Sequence, residues 1–193
     1  MNITVNNPCI PGTVLNRASM QGVTGEEFLN KIFYISDGIM LQQIREISGV
    51  DSSTLQNWVK RGWVGNTVNK RYSKEQLARI LIINMLRSSM LLERIDYLLK
   101  YINGRVETTE DDIINEAVLY GYICRVIDAV DSSVATTDTI AAEIKNITKE
   151  YREVFPGASE RLRAALLIIV VAYYASLLQK EADVLYLSLP EKQ

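Results

Sequence analysis

Four side chains that can read or grip nucleic acid stand close together in the middle of the chain. Gln56 and Asn57 carry amides that can each pair with adenine at two points, and Lys60 and Arg61, one helical turn later, can reach guanine or phosphate. A helix that presents such side chains on one face can read base edges in the major groove. The stretch therefore predicts contact with duplex DNA, although polar residues on a short helix are often only its solvated face.

Further candidate phosphate contacts flank this stretch. Ser52 and Ser53 lie at the predicted start of the helix, where hydroxyls and free backbone amides can hold a phosphate. Downstream, a polar segment lies between Trp63-Val64 and Arg71-Tyr72, and we predict a small hairpin with a basic tip there. Its candidate DNA-binding residues are Asn69, Lys70, Arg71 and Tyr72. Arg79 and Arg87 are expected to add phosphate contacts where they face outward.

The surrounding pattern predicts the helices that would position these residues. Apolar residues at three-residue steps predict a helix over about 40–48, and Gly49 ends it. A second helix is predicted over about 53–61, with three candidate N-caps at 51–53 and Gly62 after its end. Two short helices joined by a glycine-containing turn form a helix-turn-helix unit.

Helical periodicity and capping signals also cover most of the remaining chain. Thr24 and Ser73 each begin a capping box. Thr109 is a candidate cap for the first helix of the C-terminal part. The further helices are predicted over about 25–34, 73–87, 91–102, 110–131, 138–151 and 159–181. The fold class that follows is all-α: a winged helix-turn-helix head with a small β-hairpin wing, followed by a C-terminal helical domain.

The predicted organisation has three parts with different charge. Residues 1–36 form an N-terminal arm and a short helix, 37–104 the winged helix-turn-helix, and 105–193 a helical domain for dimerisation or effector binding. Residues 37–104 hold 10 Lys and Arg against 6 Asp and Glu, whereas the rest holds 11 against 17. A basic block in an otherwise acidic chain is expected when one segment meets phosphate.

Composition argues against several other functions. The 193 residues include no histidine, which removes the commonest general base and metal ligand, and the two cysteines, Cys9 and Cys124, lack metal-binding spacing. No glycine-rich phosphate loop or framed carboxylate pair is present, and the acidic run 110–112 suits a helix start. We therefore expect no enzyme activity, no metal and no cofactor. The first residues lack a signal peptide's features, so a cytoplasmic location is expected.

The order and spacing of residues 40–102 resemble the MerR family of bacterial transcription regulators. The matching positions are Ile44, Gly49, Val50, Thr54, Leu55, Gly62, Tyr72 and Ser73, and the phrase LRSSMLLERIDYLL resembles a later stretch of the family. The family's Arg-Tyr-Tyr is replaced by Gln56, Asn57 and Trp58, and the wing is shorter. The whole chain looks closer to an uncharacterised set of bacterial proteins with a MerR-like head. This resemblance implies a DNA-binding transcription regulator that grips duplex DNA with its wing.

The C-terminal part is predicted to pair two copies of the chain. Helix-turn-helix proteins usually bind DNA as two-fold dimers. The candidate interface residues are Ile140, Ile144, Ile147, Tyr151, Leu167, Val170 and Val171. The apolar run 164–178 is shorter than the roughly 20 residues that cross a bilayer, so we expect no membrane contact.

Two questions stay open on the sequence alone. Six tyrosines of the C-terminal part, Tyr120, Tyr122, Tyr151, Tyr173, Tyr174 and Tyr186, can line a pocket for a small-molecule effector or simply pack as core. The same head can also serve a protein-interaction adaptor or an excisionase-like architectural protein that bends DNA.

Overall fold

The computed structural model of the chain describes residues 7–104, 106, 108, 110–130 and 135–189. This part of the chain is mostly helical, with eight α-helices and one small antiparallel sheet, as the predicted all-α class requires. The elements are α1 (Gly25–Ile32), β1 (Ile39–Met40), α2 (Leu41–Ser48), α3 (Ser52–Lys60), β2 (Arg71–Tyr72), α4 (Lys74–Leu86), α5 (Leu92–Asn103), α6 (Glu116–Ala129), α7 (Thr137–Ile147) and α8 (Ala158–Leu187). A short 3-10 helix, Ala18–Met20, precedes α1.

Local capping signals fix the ends of the early helices. The Thr24 hydroxyl accepts a hydrogen bond from the Glu27 amide, and the Glu27 carboxylate accepts one from the Thr24 amide at 3.0 Å. Ser73 and Gln76 form the same reciprocal pair at the start of α4. Gly49 ends α2 with φ of 70°, a left-handed conformation that glycine adopts without a steric penalty. These predicted boundaries are confirmed.

The predicted pairing of 63–64 with 71–72 is wrong. β2 pairs with β1 instead, with Ile39 opposite Tyr72 and Met40 opposite Arg71. The amides of Trp63 and Val64 both donate to the carbonyl of Trp58, so these residues close the end of α3 rather than forming a strand. The predicted basic tip is present as a tight turn. Val68 forms an isolated antiparallel β-bridge with Arg71, and residues 69 and 70 have φ of 51° and 60°.

The first helix of the C-terminal part starts later than predicted. α6 begins at Glu116, where the Asn115 side chain accepts hydrogen bonds from the Ala117 and Val118 amides. The acidic residues 110–112 therefore precede the helix instead of opening it. The predicted cap Thr109 and the predicted helix end at 131 lie outside the described residues.

One continuous apolar core joins the head to the C-terminal helices. It extends from Ile10 to Leu177 and takes side chains from all eight helices. α1 lies so close to α6 that a Cβ at Gly25 would collide with the Cys124 sulfur. The division at 36 and 104 stays a prediction, and the described residues bury their apolar side chains together.

Helix α8 is much longer than the apolar run that predicted it. It contains 30 residues, and an 18-residue window within it has a mean hydropathy of 1.8, so by length and composition the helix could cross a membrane. Half of that window is buried inside the protein, and core helices of soluble proteins pass the same test. The 15-residue run therefore underestimates the apolar stretch of α8, because the apolar character continues beyond it.

Arg79 is the most consequential departure from the sequence-based expectations. A phosphate contact was expected of Arg79 only where it faces outward, and the Arg79 side chain on α4 is 2% exposed, so this contact is excluded. Its Nε donates to the carbonyl of Trp63 at 2.5 Å, one terminal nitrogen donates to the Glu116 carboxylate, and the other faces Asp96 at 3.8 Å. The pKa of Glu116 is raised because burial outweighs the attraction of the guanidinium. Arg79 thus links the end of α3 to α5 and α6.

Removing this guanidinium should destabilise the whole fold. Arg79→Met leaves the mostly buried Glu116 carboxylate without its cation, whereas Asp96 keeps its ion pair with Lys100. Breaking one side of a buried pair typically costs about 3–5 kcal/mol. Urea denaturation measures the change in the free energy of unfolding. Arg94→Met on exposed α5 surface is the matched control and should stay within about 0.5 kcal/mol of wild type. Equal stabilities for the two variants would show that Arg79 is not a structural link.

Candidate nucleic-acid interface

Helix α3 has one buried face and one polar face. Leu55 and Trp58 are each 1% exposed and fix the helix against the core. Four exposed residues with hydrogen-bonding or basic side chains share the opposite side at helical spacing: Ser53, Gln56, Asn57 and Lys60. The buried tryptophan anchors the backbone, so the polar face is held on a supported helix rather than on a loose loop.

Most of this polar face is not engaged within the protein. The side chains of Gln56, Asn57 and Lys60 make no hydrogen bond or ion pair with any other described residue. Arg61, at the end of the helix, is partly engaged: it lies 3.9 Å from the Glu93 carboxylate and its guanidinium carbon is 5.0 Å from the Trp63 ring centroid. The ion pair is solvent-exposed, so it costs little to exchange for another partner.

Asp51 occupies the place where we expected a phosphate. Its carboxylate accepts hydrogen bonds from the Thr54 amide at 2.9 Å, the Thr54 hydroxyl at 2.7 Å and the Ser53 hydroxyl at 2.5 Å. These bonds hold the pKa of Asp51 well below its ordinary value. Ser53 is exposed and Ser52 half-buried, but a negative charge already caps this helix start, so the predicted phosphate contact at Ser52 and Ser53 is disfavoured.

The basic tip presents three of its four predicted residues. Asn69, Lys70 and Arg71 are exposed, and one Arg71 terminal nitrogen donates to the carbonyl of Gly38 at 2.9 Å, which orients the side chain beside the sheet. Tyr72 is 5% exposed and packs inward, with its pKa raised by burial. Its predicted DNA contact is corrected, because alternate strand residues point to opposite faces and Tyr72 takes the inner one.

The helix face and the tip are not joined by polar contacts in the described part of the chain. No hydrogen bond or ion pair joins Gln56, Asn57 or Lys60 to residues 69–71 there. Arg45, which we did not single out, is exposed on α2 and borders a groove of about 600 Å³ next to the start of α3. The sequence did carry a signal for it, because Arg45 lies outside the apolar row formed by Leu41, Ile44 and Ile47.

The predicted dimer residues fall into different environments. Ile140, Ile144 and Val170 are at most 3% exposed within the chain's own core, which corrects their assignment to an interface. Ile147, Tyr151 and Leu167 are partly buried, and α7 ends before Tyr151, whose hydroxyl donates to the Ile113 carbonyl. Val171 is 38% exposed. A three-four repeat marks a buried face, but it cannot say whether the cover is the same chain or another.

The tyrosines mostly pack as core. The Tyr120 hydroxyl donates to the Pro11 carbonyl at 2.8 Å, and the Tyr173 hydroxyl accepts from the Asn7 amide at 2.8 Å. Tyr173 and Tyr174 border a cavity of about 440 Å³ together with Arg17 and Asp128, which pair at 2.6 Å. Tyr122 is buried, whereas Tyr186 is 73% exposed. Among the described residues no group of three acidic, cysteine or histidine side chains could hold a metal ion.

The cap at Asp51 predicts a pH-dependent difference in stability. Because its folded pKa is depressed, the ionised cap stabilises α3 above the ordinary pKa near 3.8, and this contribution is lost as the pH falls below that value. Asp51→Ala should therefore lower the urea midpoint clearly at pH 7 and less at pH 3. Other carboxylates affect both proteins alike, so the difference between them is the readout. A difference that grows on acidification would contradict the capping role.

Two comparisons place the chain among known sequences. Residues 28–123, about half of the chain, match a family model described as Domain of unknown function (DUF1836). An uncharacterised protein of Bacillus subtilis (strain 168), YkrK, is 30% identical over 129 residues, which cover 65% of this chain and 52% of that relative. The chain thus aligns with about half the length of that relative, and no solved structure matches. The chain is thus similar to bacterial proteins of unknown function.

Proposed function

We propose that the chain is a DNA-binding transcription regulator that recognises duplex DNA through α3 and the basic tip. In this proposal α2, the turn at Gly49 and α3 form a helix-turn-helix similar to that of MerR proteins, and residues 65–72 act as its wing. α3 would enter the major groove, while Lys70 and Arg71 would contact the sugar-phosphate backbone beside it.

The polar face of α3 is the observation that supports this proposal most strongly. Gln56, Asn57 and Lys60 are exposed, lie on one side of a helix anchored by Trp58 and have no partner among the described residues. Amide side chains pair with adenine, and a lysine pairs with guanine or phosphate. A face that only had to be soluble would not need this combination of rigid support and unengaged hydrogen-bonding groups.

The distribution of charge favours an anionic partner such as DNA for one segment of the chain only. The stretch 37–104 carries a net charge of +4 by its 10 basic and 6 acidic residues, while the chain as a whole carries −2. Three of the ten cations, Arg61, Arg79 and Lys100, form ion pairs within the protein, which leaves a modest basic surface. We therefore expect binding that weakens strongly with salt and depends on pairing two modules.

Removing the lysine of the α3 face tests the recognition helix. Lys60→Ala should weaken binding of a selected duplex by roughly 5- to 150-fold, corresponding to about 1–3 kcal/mol for a lost base contact. Fluorescence anisotropy of labelled duplexes gives the dissociation constant. Lys145→Ala removes an exposed lysine of α7 and should leave binding unchanged. Equal affinity in both variants would remove α3 from the interface.

A charge-removing change at the tip tests the wing. Lys70→Asn keeps a residue that tolerates the positive φ of this position but removes the cation. If Lys70 contacts phosphate, binding should weaken by a similar factor on every duplex, and the salt dependence of log K should lose about one unit of slope. An unchanged slope would exclude a phosphate contact at the tip, and no binding at low salt would favour a protein-interaction adaptor instead.

A further inference from the structure

The outer side of α8 carries an apolar stripe that the described residues leave uncovered. From 164 to 178 the exposed residues are Ala164, Ile168, Val171, Ala175 and Leu178, and every other residue is buried or half-buried. The steps between them are four, three, four and three. This spacing is the heptad pattern of a helix that packs against another helix.

The stripe continues where α8 extends past the core. All residues from 178 to 189 are exposed, and Ala182 and Leu185 carry the same spacing onward. The seven positions thus cover 22 residues, or about 32 Å of helix. No charged residue interrupts them, although Lys180, Glu181 and Asp183 lie on other sides of the same helix. An apolar seam of this length is costly to leave in water.

We propose that a second copy of the chain covers this seam, with the two α8 helices packed in antiparallel order. The exposed fractions of Ile168, Val171, Leu178 and Leu185 range from 38% to 59%. At roughly 200 Å² for a fully exposed residue of this size, these four and the alanines offer about 500 Å² per copy, and the flanking side chains bring the pair into the range of specific interfaces.

The antiparallel order follows from the sizes of the seam residues. It sets Ile168 against Leu185, Val171 against Ala182, and Ala175 against Leu178 of the second copy, so that each alanine meets a larger side chain. A parallel, in-register pair would set alanine against alanine in three of the seven layers and leave gaps, which weaken packing. In the antiparallel order, the projecting C-terminal end of one α8 packs on the half of the other α8 that is supported by its own core.

This dimer does not rest on DNA binding, and its test is independent of it. Sedimentation equilibrium of the full chain should give a dimer, and Leu185→Glu should weaken it at least tenfold. Leu187→Glu is the matched control: it lies on the opposite side of the projecting end, is 79% exposed, and likewise places a glutamate four residues after an acid. It should leave the dimer intact. A monomeric wild type, or equal loss in both variants, would overturn the proposal.

Cross-linking tests the antiparallel order of the two α8 helices, and vesicle flotation tests whether a membrane covers the seam instead of a second copy. In a Cys9→Ser background, mixed Ile168→Cys and Leu185→Cys chains should form a disulfide-linked pair, whereas either variant alone should not, because its two cysteines lie about 25 Å apart along the helix. Cross-linking of the single variants would overturn the antiparallel order.

Flotation of wild type with neutral vesicles, lost equally in Leu185→Glu and Leu187→Glu, would assign α8 to a membrane instead.

Discussion

The buried guanidinium of Arg79 is the constraint on which the rest of the architecture depends. It lies on α4 and bonds to the carbonyl of Trp63, to Glu116 on α6 and, more loosely, to Asp96 on α5. A charge with so little access to water is stable only where its partners are fixed. The linkage therefore ties the end of α3 to the C-terminal helices, and the presented face of α3 depends on it.

Local signals carried most of the predictable structure. The capping pairs at Thr24 and Ser73 and the glycine after α2 are set by residues a few positions apart, so the sequence determines them directly. Pairing between distant segments was not predictable. β2 pairs with β1 rather than with 63–64, because the amides of Trp63 and Val64 bond to the end of α3. Arg79 has the sequence pattern of a surface residue, because its two carboxylate partners lie 17 and 37 positions away and only the fold brings them together.

The same limit explains what was missed at the candidate site. The polar residues of α3 were predictable from spacing alone, since Leu55 and Trp58 define the opposite face. The roles of Asp51 and Tyr72 depended on which of several caps and which strand face the fold selected. For α8, periodicity showed an apolar helix on all sides, but only burial separates the side that packs on the core from the seam that remains exposed.

The two proposals concern two different surfaces of one core. The family match ends within α6, so it includes α3 and the Arg79–Glu116 linkage but neither α7 nor α8. Sequence-selective recognition by α3 is the central claim, and selection of bound duplexes from a random pool tests it most directly. The account predicts enrichment of an inverted repeat with adenine-containing half-sites, and enrichment lost in Gln56→Ala. Recovery of an unselected pool at low salt, from wild type and variant alike, would contradict it.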